Sequence, residues 1–426
     1  MKRLLIISPY FPPVNAADMQ RVRMSLPYFA GNDWEAEVVM VDEKYADMAI
    51  DELLLQSVPP QIKIHKVSAL KKHLTSKLGL GSISLRSLWF YSQKVNKLLK
   101  AQKYDLIYFS TTQFPVCILG AYWKKRFGIP YVIDMQDPWF SDYYQDKPKA
   151  QRPPKYWFSY RLNKYLEPIA MKNVDGLISV SDDYIIDLKK KYPEIKNIPS
   201  ATITFGAFDP DMQIAEKNEK LFNKLLNKGS INVVYIGRGG ADMHKAITPL
   251  FKVLKNGLQN ENEALKSFMF YFIGTSYAPN GKGNPTIMPL AKQFGVDGQV
   301  VEITDRISYY HTLATLQQAN ALFIPGSDDP KYTASKIYPY LLTQKPILAI
   351  FNAASSAINI MKEYGVNDVF DYDTITDSDI NLFLAALLNG NHQQPKYNAA
   401  IVNKYSARQM AFNQCKLFDS VISGKN

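Results

Sequence analysis

The sequence predicts a two-domain α/β protein, and three observations support this prediction. The chain has 426 residues, more than one ordinary hydrophobic core accommodates. Short apolar runs rich in β-branched residues alternate with longer helix-like segments, which is typical of parallel sheets covered by helices. The alternation restarts after a polar, Lys- and Asn-rich stretch. We therefore predict an N-terminal domain over 1–208, a linker over 209–230 and a C-terminal domain over 231–405.

In the first half, seven apolar runs predict strands separated by helices. The predicted strands are 3–8, 36–41, 61–66, 106–110, 131–135, 176–180 and 201–204. Predicted helices cover 18–30, 87–102 and 114–127, and another begins at Asp182 behind a capping signal at Ser181.

The second half repeats this alternation of strands and helices. A strand over 231–236 leads into a glycine turn and a helix near 245–258, and further strands are predicted at 268–273, 300–303, 321–324 and 347–350. A long last helix, about 406–426, is expected to pack back against the first domain.

Cysteine content argues against a protein stabilised by disulfides or zinc, and hydropathy argues against a membrane span at the N-terminus. Two cysteines, Cys117 and Cys415, cannot form a disulfide framework, and neither has zinc-site spacing. The N-terminal apolar run 4–7 is far too short for a signal peptide or a membrane span. We therefore expect a cytoplasmic protein.

A formal net charge of +11 predicts an anionic partner. Residues 61–100 hold nine Lys or Arg and no acidic residue, interleaved with leucines and aromatics, and 147–172 again mixes cations with aromatics. This combination favours peripheral binding of the protein to the anionic inner face of the cytoplasmic membrane. Ordinary solvated helix faces are the alternative. Nucleic acid is not expected, because no helix-turn-helix, RNP or zinc pattern is present.

Five strings, taken in order, resemble one enzyme family. They are KRLLIISPYFPP…RV, IPYVIDMQDPW, VDGLISVSDDY, VVYIGRGG and SKIYPYLLTQKPILAI. The set is similar to bacterial glycosyltransferases of family 4. The resemblance implies a GT-B fold, in which two Rossmann-like domains face each other across a cleft. It also implies a nucleotide-sugar donor held mainly by the C-terminal domain and an acceptor held mainly by the N-terminal one.

The sequence departs from that family at two donor-site positions. Family members usually carry two glutamates, and aligning through SKIYPYL places Lys331 and Pro339 at their positions. Asp328 and Asp329 are the candidates for the missing contacts to sugar hydroxyls, with a turn-forming role as the alternative.

Candidate donor residues follow the strands of the second half. Leaving-group stabilisation requires cations and helix N-termini near the diphosphate, so Arg238 and Lys245 are the catalytic candidates. Two solvated cations beside a turn would be the alternative. Ser335 and Lys336 begin a helix, where a simple N-cap is the competing interpretation. The remaining donor candidates are Gly237 and Gly239 of the turn and Arg306, which the resemblance places at the nucleobase.

In the first half, Asp137 follows an apolar strand at the sheet edge where open α/β folds bind ligands. It is the third catalytic candidate, for contact with the acceptor hydroxyl or the donor sugar, although it could simply cap a turn. Trp139 beside it and Arg21 at the start of the first helix are predicted to contact acceptor or phosphate.

The overall prediction is a glycosyltransferase that moves a sugar from a UDP- or GDP-type donor to a glycan or lipid-linked acceptor in cell-surface polysaccharide synthesis. The resemblance suggests retention of anomeric configuration. No cofactor or metal is expected, because the five histidines lack metal-ligand spacing. Two alternatives stay open: a degenerate protein that binds a nucleotide-sugar or a partner, and a nucleotide-sugar epimerase. The oligomeric state, donor sugar and acceptor are left undetermined.

Overall fold

The structure is a computed structural model that describes residues 1–140, 145, 148, 152, 156–278, 281–328, 337–392 and 397–424. The chain forms two compact units. The first contains Met1–Gly206 together with Ser406–Asn426, and the second contains Ala207–Tyr405.

The first unit contains a parallel seven-stranded sheet in the order β3-β2-β1-β4-β5-β6-β7. Its central strands are buried on both faces, which explains why they read as continuous apolar runs. The strands are β1 (Lys2–Ile7), β2 (Trp34–Val41), β3 (Lys63–Val67), β4 (Leu106–Ser110), β5 (Tyr131–Met135), β6 (Gly176–Ser179) and β7 (Ser200–Thr202).

Six helices of the first unit precede the crossover to the second. They are α1 (Gln20–Phe29), α2 (Lys72–Thr75), α3 (Ile83–Ala101), α4 (Ile118–Phe127), α5 (Tyr156–Met171) and α6 (Asp182–Lys191). Helix α3 begins earlier than predicted because the Ser82 hydroxyl caps it, accepting from the Leu85 amide at 3.2 Å. Helix α6 begins where predicted, but the Ser181 side chain makes no capping hydrogen bond.

The second unit contains a parallel six-stranded sheet in the order β10-β9-β8-β11-β12-β13. The last strand, which is three residues long, was not predicted. The strands are β8 (Ile231–Ile236), β9 (Phe268–Ile273), β10 (Val300–Ile303), β11 (Ala321–Pro325), β12 (Ile347–Phe351) and β13 (Val369–Asp371). The helices are α7 (Asp209–Lys217), α8 (His244–Gln259), α9 (Met288–Phe294), α10 (Tyr309–Gln318), α11 (Ile337–Leu342), α12 (Ser356–Glu363), α13 (Asp377–Leu388) and α14 (Ala399–Lys404).

The stretch predicted as a linker begins with a packed helix. Asp211 of α7 is buried, and its carboxylate accepts hydrogen bonds from the hydroxyls of Tyr309 and Tyr310, each at 2.9 Å. The polar composition of 209–230 concealed this helix, because the partners that satisfy Asp211 lie about a hundred residues later.

The last helix, α15 (Ala407–Ser423), belongs to the first unit, as predicted. Its Phe418 ring lies 5.6 Å from Trp34 and 6.3 Å from Phe29. No helix within the described part of the chain is long and apolar enough to span a bilayer.

In each sheet the first strand in the chain is an interior strand, third from one edge. The chain order therefore reverses between β1 and β4 in one unit, and between β8 and β11 in the other. At such a switch point the loops after neighbouring strands diverge and leave a crevice at their carboxyl ends, where open α/β sheets bind ligands.

Candidate functional site

The second unit carries a glycine turn directly after β8. The Gly237 amide donates to the Ile273 carbonyl at 2.9 Å, and the Gly239 amide donates to the Thr275 carbonyl at 2.8 Å. A Cβ on Gly239 would lie 2.5 Å from the Thr286 hydroxyl oxygen. The turn therefore requires glycine at 239 for its close fit against neighbouring loops.

Arg238 projects from this turn and pairs with Asp242. One guanidinium nitrogen lies 3.1 Å from the carboxylate, and a second also contacts it. Ser327, after β11, donates its hydroxyl to the same carboxylate at 2.6 Å. Partial burial works to raise the pKa of Asp242, but the bonds from Arg238 and Ser327 outweigh it and lower the pKa.

Lys245 lies in the first turn of α8, the helix that follows the glycine turn. Its ammonium is 2.9 Å from Asp373 and 4.1 Å from the centre of the Tyr372 ring. The hydrogen bond that Lys245 donates to Asp373 raises the pKa of Lys245. Both cations predicted for the diphosphate are thus present after β8, and each has an acidic partner.

Asp328 connects these groups to the loop after β11. Its amide donates to the Asp242 carbonyl at 2.9 Å, and its carbonyl accepts from the Asn352 side chain at 3.1 Å. The Asn352 amide nitrogen also contacts the Tyr372 hydroxyl oxygen at 2.7 Å. The structure therefore joins the loops after β8, β11, β12 and β13 through Asp242, Asn352, Tyr372 and Asp373.

Sequence reasoning did not name these four connecting residues. Asp242 could have been predicted from the sequence, because a carboxylate four residues after an arginine is a frequent ion-pair partner. The contacts of Asn352, Tyr372 and Asp373 depend on sheet order, which brings residues far apart in the chain to one edge.

Arg306 follows β10, and its guanidinium carbon lies 4.8 Å from the centre of the exposed Tyr277 ring. An ordinary surface arginine would be exposed in the same way, so the place of Arg306 beside the nucleobase stays a prediction. Three other donor candidates, Asp329, Ser335 and Lys336, lie outside the described residues, as does Lys331.

In the first unit, Arg21 was predicted to contact acceptor or phosphate, but its side chain lies in the interior. Its side chain is completely buried, with Nε 2.7 Å from Asp134 and a second nitrogen donating to the Ile203 carbonyl at 2.8 Å. This corrects the expectation of a cation open to phosphate: the interior position of α1 against β5 makes Arg21 the counter-ion of a buried carboxylate.

Asp18, whose carboxylate is also buried, connects three loops at the same sheet edge. It accepts from the Thr111 hydroxyl at 2.7 Å and the Thr112 amide at 3.0 Å, and the Gln136 side chain donates to the Asp18 carbonyl at 3.0 Å. Burial raises the pKa of Asp18. Asp18 was not predicted; these contacts order the loops after β1, β4 and β5.

Asp137 and Trp139 line a cavity of about 560 Å³ in the first unit. The Trp139 ring stacks on Phe114 at 5.4 Å, and its indole N–H donates to Asn163 at 3.2 Å. Asp137 is exposed at the rim. Partial desolvation by the surrounding protein, and then repulsion from the Asp18 charge, raise the pKa of Asp137. A carboxylate with a raised pKa suits proton transfer better than an ordinary one.

Metal-ligating side chains do not cluster in the part of the chain that is described: no group of three or more His, Cys, Asp or Glu is placed to hold an ion. The ring of His244, beside Lys245, hydrogen-bonds to the Thr286 carbonyl at 2.8 Å.

No protein-family model and no curated protein sequence matches this chain, but solved structures do. HepE of Anabaena, in complex with UDP and glucose, is 14% identical with a TM-score of 0.55, covering 99% of this chain and 100% of that one. A UDP-forming trehalose-phosphate synthase of Burkholderia xenovorans, bound to glucose-6-phosphate, is 11% identical with a TM-score of 0.56, covering 98% and 100%. The protein has the GT-B fold.

The N-terminal domain of trehalose-6-phosphate phosphatase from Candida albicans also matches, with 12% identity, a TM-score of 0.58, and coverage of 99% and 97%. At these identities the similarity shows the fold alone. The GT-B assignment agrees with the two parallel sheets of seven and six strands, while the cleft between the units stays a prediction.

Proposed function

We propose that this GT-B protein is a glycosyltransferase that moves a sugar from a UDP-type nucleotide-sugar to a glycan or lipid-linked acceptor. One observation carries the proposal. Arg238 in the glycine turn and Lys245 at the start of α8 both follow β8, beside the β8/β11 switch point. Two cations and a helix N-terminus there suit a diphosphate.

In the proposed reaction, the bond between the sugar C1 and the diphosphate oxygen breaks while C1 bonds to the acceptor oxygen. Arg238 and Lys245 stabilise the negative charge that develops on the diphosphate. The departing diphosphate accepts the acceptor's proton, which gives retention without a protein nucleophile. Asp137 orients the acceptor hydroxyl. Donor binding exchanges the pairings of the two cations with Asp242 and Asp373 for pairings with phosphate.

The finer assignments rest on the family 4 resemblance. With Lys331 and Pro339 in place of the usual glutamates, Asp328 and Asp329 bind the sugar hydroxyls, Ser335 and Lys336 contact diphosphate or ribose, and Arg306 frames the base. The proposed enzyme needs no metal. It acts on cell-surface polysaccharide at the cytoplasmic face of the membrane, and Trp139 contributes to the acceptor site.

The test is a titration of the protein with UDP, GDP and their sugar derivatives. Binding is monitored by thermal stabilisation and turnover by release of the free nucleoside diphosphate. A charge-assisted hydrogen bond contributes about 1.5–3 kcal/mol, so Arg238→Ala should weaken UDP binding by roughly 10- to 100-fold. Lys245→Ala should weaken it less, because Lys245 is more exposed. Lys252→Ala is the matched control, since Lys252 is also on α8 and pairs with Asp377.

If both variants bind UDP and turn over like the control, the leaving-group site is misassigned. The substitutions at 331 and 339 favour a second candidate, a degenerate protein that binds a nucleotide-sugar without transferring it. Saturable UDP-sugar binding with neither transfer nor hydrolysis would identify that case.

A further inference from the structure

The cavity of the first unit has an extensive apolar wall. Trp139 and Phe114 form a stacked pair on one side, and Leu85, Phe158 and Leu162 contribute from α3 and α5. Segment 76–82 closes against Phe158. Gly79 there has a φ of +78°, and a Cβ on it would lie 2.5 Å from the Phe158 ring. A side chain at 79 would therefore displace that ring from the wall.

Most of the other lining residues that the structure describes are polar. Thr112, Gln113, Ser159 and Asn163 supply hydroxyl and amide groups, and Asp137 supplies a carboxylate. None of the lining residues that the structure describes is Lys or Arg, the residues that bind phosphate most strongly. A ligand matched to this lining carries both hydroxyl groups and an apolar portion.

Helix α5 separates the cavity from the outer surface. Phe158 and Leu162, four residues apart, face the cavity. Trp157, Arg161 and Tyr165 have the same spacing and form an outer row, with Trp157 65% and Tyr165 70% exposed. The Arg161 guanidinium lies 5.9 Å from the Trp157 ring centre.

Segment 72–80 repeats this arrangement beside α5. Ser76 and Gly79 line the cavity, whereas Leu74 and Leu80 are exposed, at 62% and 37%, and Lys77 lies between them. Helix α5 and segment 72–80 therefore both contribute to the cavity lining and both present apolar and cationic side chains outward. This is the combination that lies well at an anionic bilayer surface.

We infer that the cavity binds the acceptor and that the acceptor is a glycolipid. Its sugar hydroxyls meet Asp137, Ser159 and Asn163, and the first part of its hydrocarbon lies between the stacked Phe114–Trp139 pair and Leu162. The outer row of α5 rests on the bilayer that holds the remainder of the lipid. This inference rests on the proposed function and names its acceptor class.

The experiment uses a homologous series of probes: methyl, butyl, hexyl and octyl β-D-glucosides, each below its micelle concentration and without nucleotide. Binding is measured by tryptophan fluorescence and by thermal stabilisation. Burying one methylene contributes about 0.8 kcal/mol, so affinity should rise about fourfold for each methylene that enters the cavity. A series with constant affinity overturns the inference.

Leu162→Asn should abolish the dependence on chain length, because it places an amide on the apolar wall. Ile186→Asn on α6 is the matched control: Ile186 is 59% exposed in the same unit and is not among the lining residues. If the two variants behave alike, or if Leu162→Asn keeps the full dependence, the cavity is not the binding site.

The acceptor role has its own readout. With the donor found in the UDP titration, kcat/KM for octyl glucoside should exceed that for methyl glucoside by the same factor as affinity, and Leu162→Asn should remove the difference. UDP binding with a flat alkyl series overturns this inference and leaves the proposed function intact. A rising series without any UDP binding removes the acceptor role together with the proposed function.

Discussion

At the scale of single residues, identical side chains have opposite roles according to burial. Arg238 is partly exposed in the glycine turn, where its ion pair with Asp242 is accessible to solvent. Arg21 is entirely enclosed and faces Asp134, which is equally buried. Removing either partner of a buried ion pair destabilises the fold strongly, because the remaining charge has no water to solvate it.

We therefore predict that Arg21→Met lowers the free energy of unfolding by about 3–5 kcal/mol. UDP affinity of the folded fraction should stay unchanged. Denaturant titration and UDP binding below the melting transition check the two parts. Arg408→Met, which removes an exposed arginine lying over Tyr28, should change stability little. If Arg21→Met kept its stability and lost UDP affinity tenfold, Arg21 would be a phosphate ligand after all.

At the scale of elements, one buried carboxylate connects three strands of the first sheet. Glu37 of β2 is 3.0 Å from Arg3 of β1 and 2.8 Å from His65 of β3, and it accepts from the Tyr104 hydroxyl at 2.7 Å. Burial works to raise its pKa, but the hydrogen bonds from His65, Tyr104 and Gln102 outweigh it and lower the pKa to about 2. Sequence patterning located the strand but not this role.

The lowered pKa of Glu37 predicts a specific pH dependence. Its contribution is fully present above the ordinary pKa of 4.5 and is lost as pH falls toward 2, where the folded state also becomes protonated. Glu37→Gln should therefore be less stable than wild type by about 3 kcal/mol near neutral pH, and the difference should vanish near pH 2.

Chemical denaturation across that range measures the difference. Glu35→Gln on the same strand is the control, because Glu35 is half-exposed and lies 3.8 Å from Arg3. A stability difference for Glu37→Gln that stayed constant from pH 7 to pH 2 would show that the carboxylate charge is not responsible.

At the scale of the whole molecule, the positive charge is unevenly distributed along the chain. The net charge is +11, and residues 61–100 contain nine cations and no acidic residue. The same region exposes Trp89 at 65% and Leu70 at 50%. Four of the nine cations, Lys63, Lys66, Lys72 and Arg86, pair with carboxylates outside this stretch. The exposed Lys71 and Lys77 beside exposed apolar groups favour an anionic bilayer.

We predict that the protein sediments with vesicles containing phosphatidylglycerol at low salt, and that binding weakens as salt increases. Each Lys near the surface contributes about 1 kcal/mol, so the double variant Lys71→Ser and Lys77→Ser should bind roughly 25-fold less tightly. The control is Lys220→Ser with Lys224→Ser in the second unit, both exposed. Equal binding to neutral phosphatidylcholine vesicles would contradict an electrostatic attraction.

The sequence by itself determined the α/β class, the positions of most strands and the glycine turn that carries Arg238. These features depend on residues close together in the chain: buried parallel strands need continuous apolar runs, and a strand-to-helix turn beside other loops needs glycine. The ordered motifs also predicted the GT-B fold, which the solved structures support.

Only the tertiary structure decided which polar groups are buried, and with what partner. Arg21 and Asp134 are more than a hundred residues apart, and so are Lys245 and Asp373, yet each pair is in direct contact. The cavity beside Asp137 likewise exists only where α3, α5 and the three segments 76–82, 112–115 and 137–139 meet. Local sequence reports which residues are polar, whereas burial and pairing depend on the order in which the sheet assembles its strands.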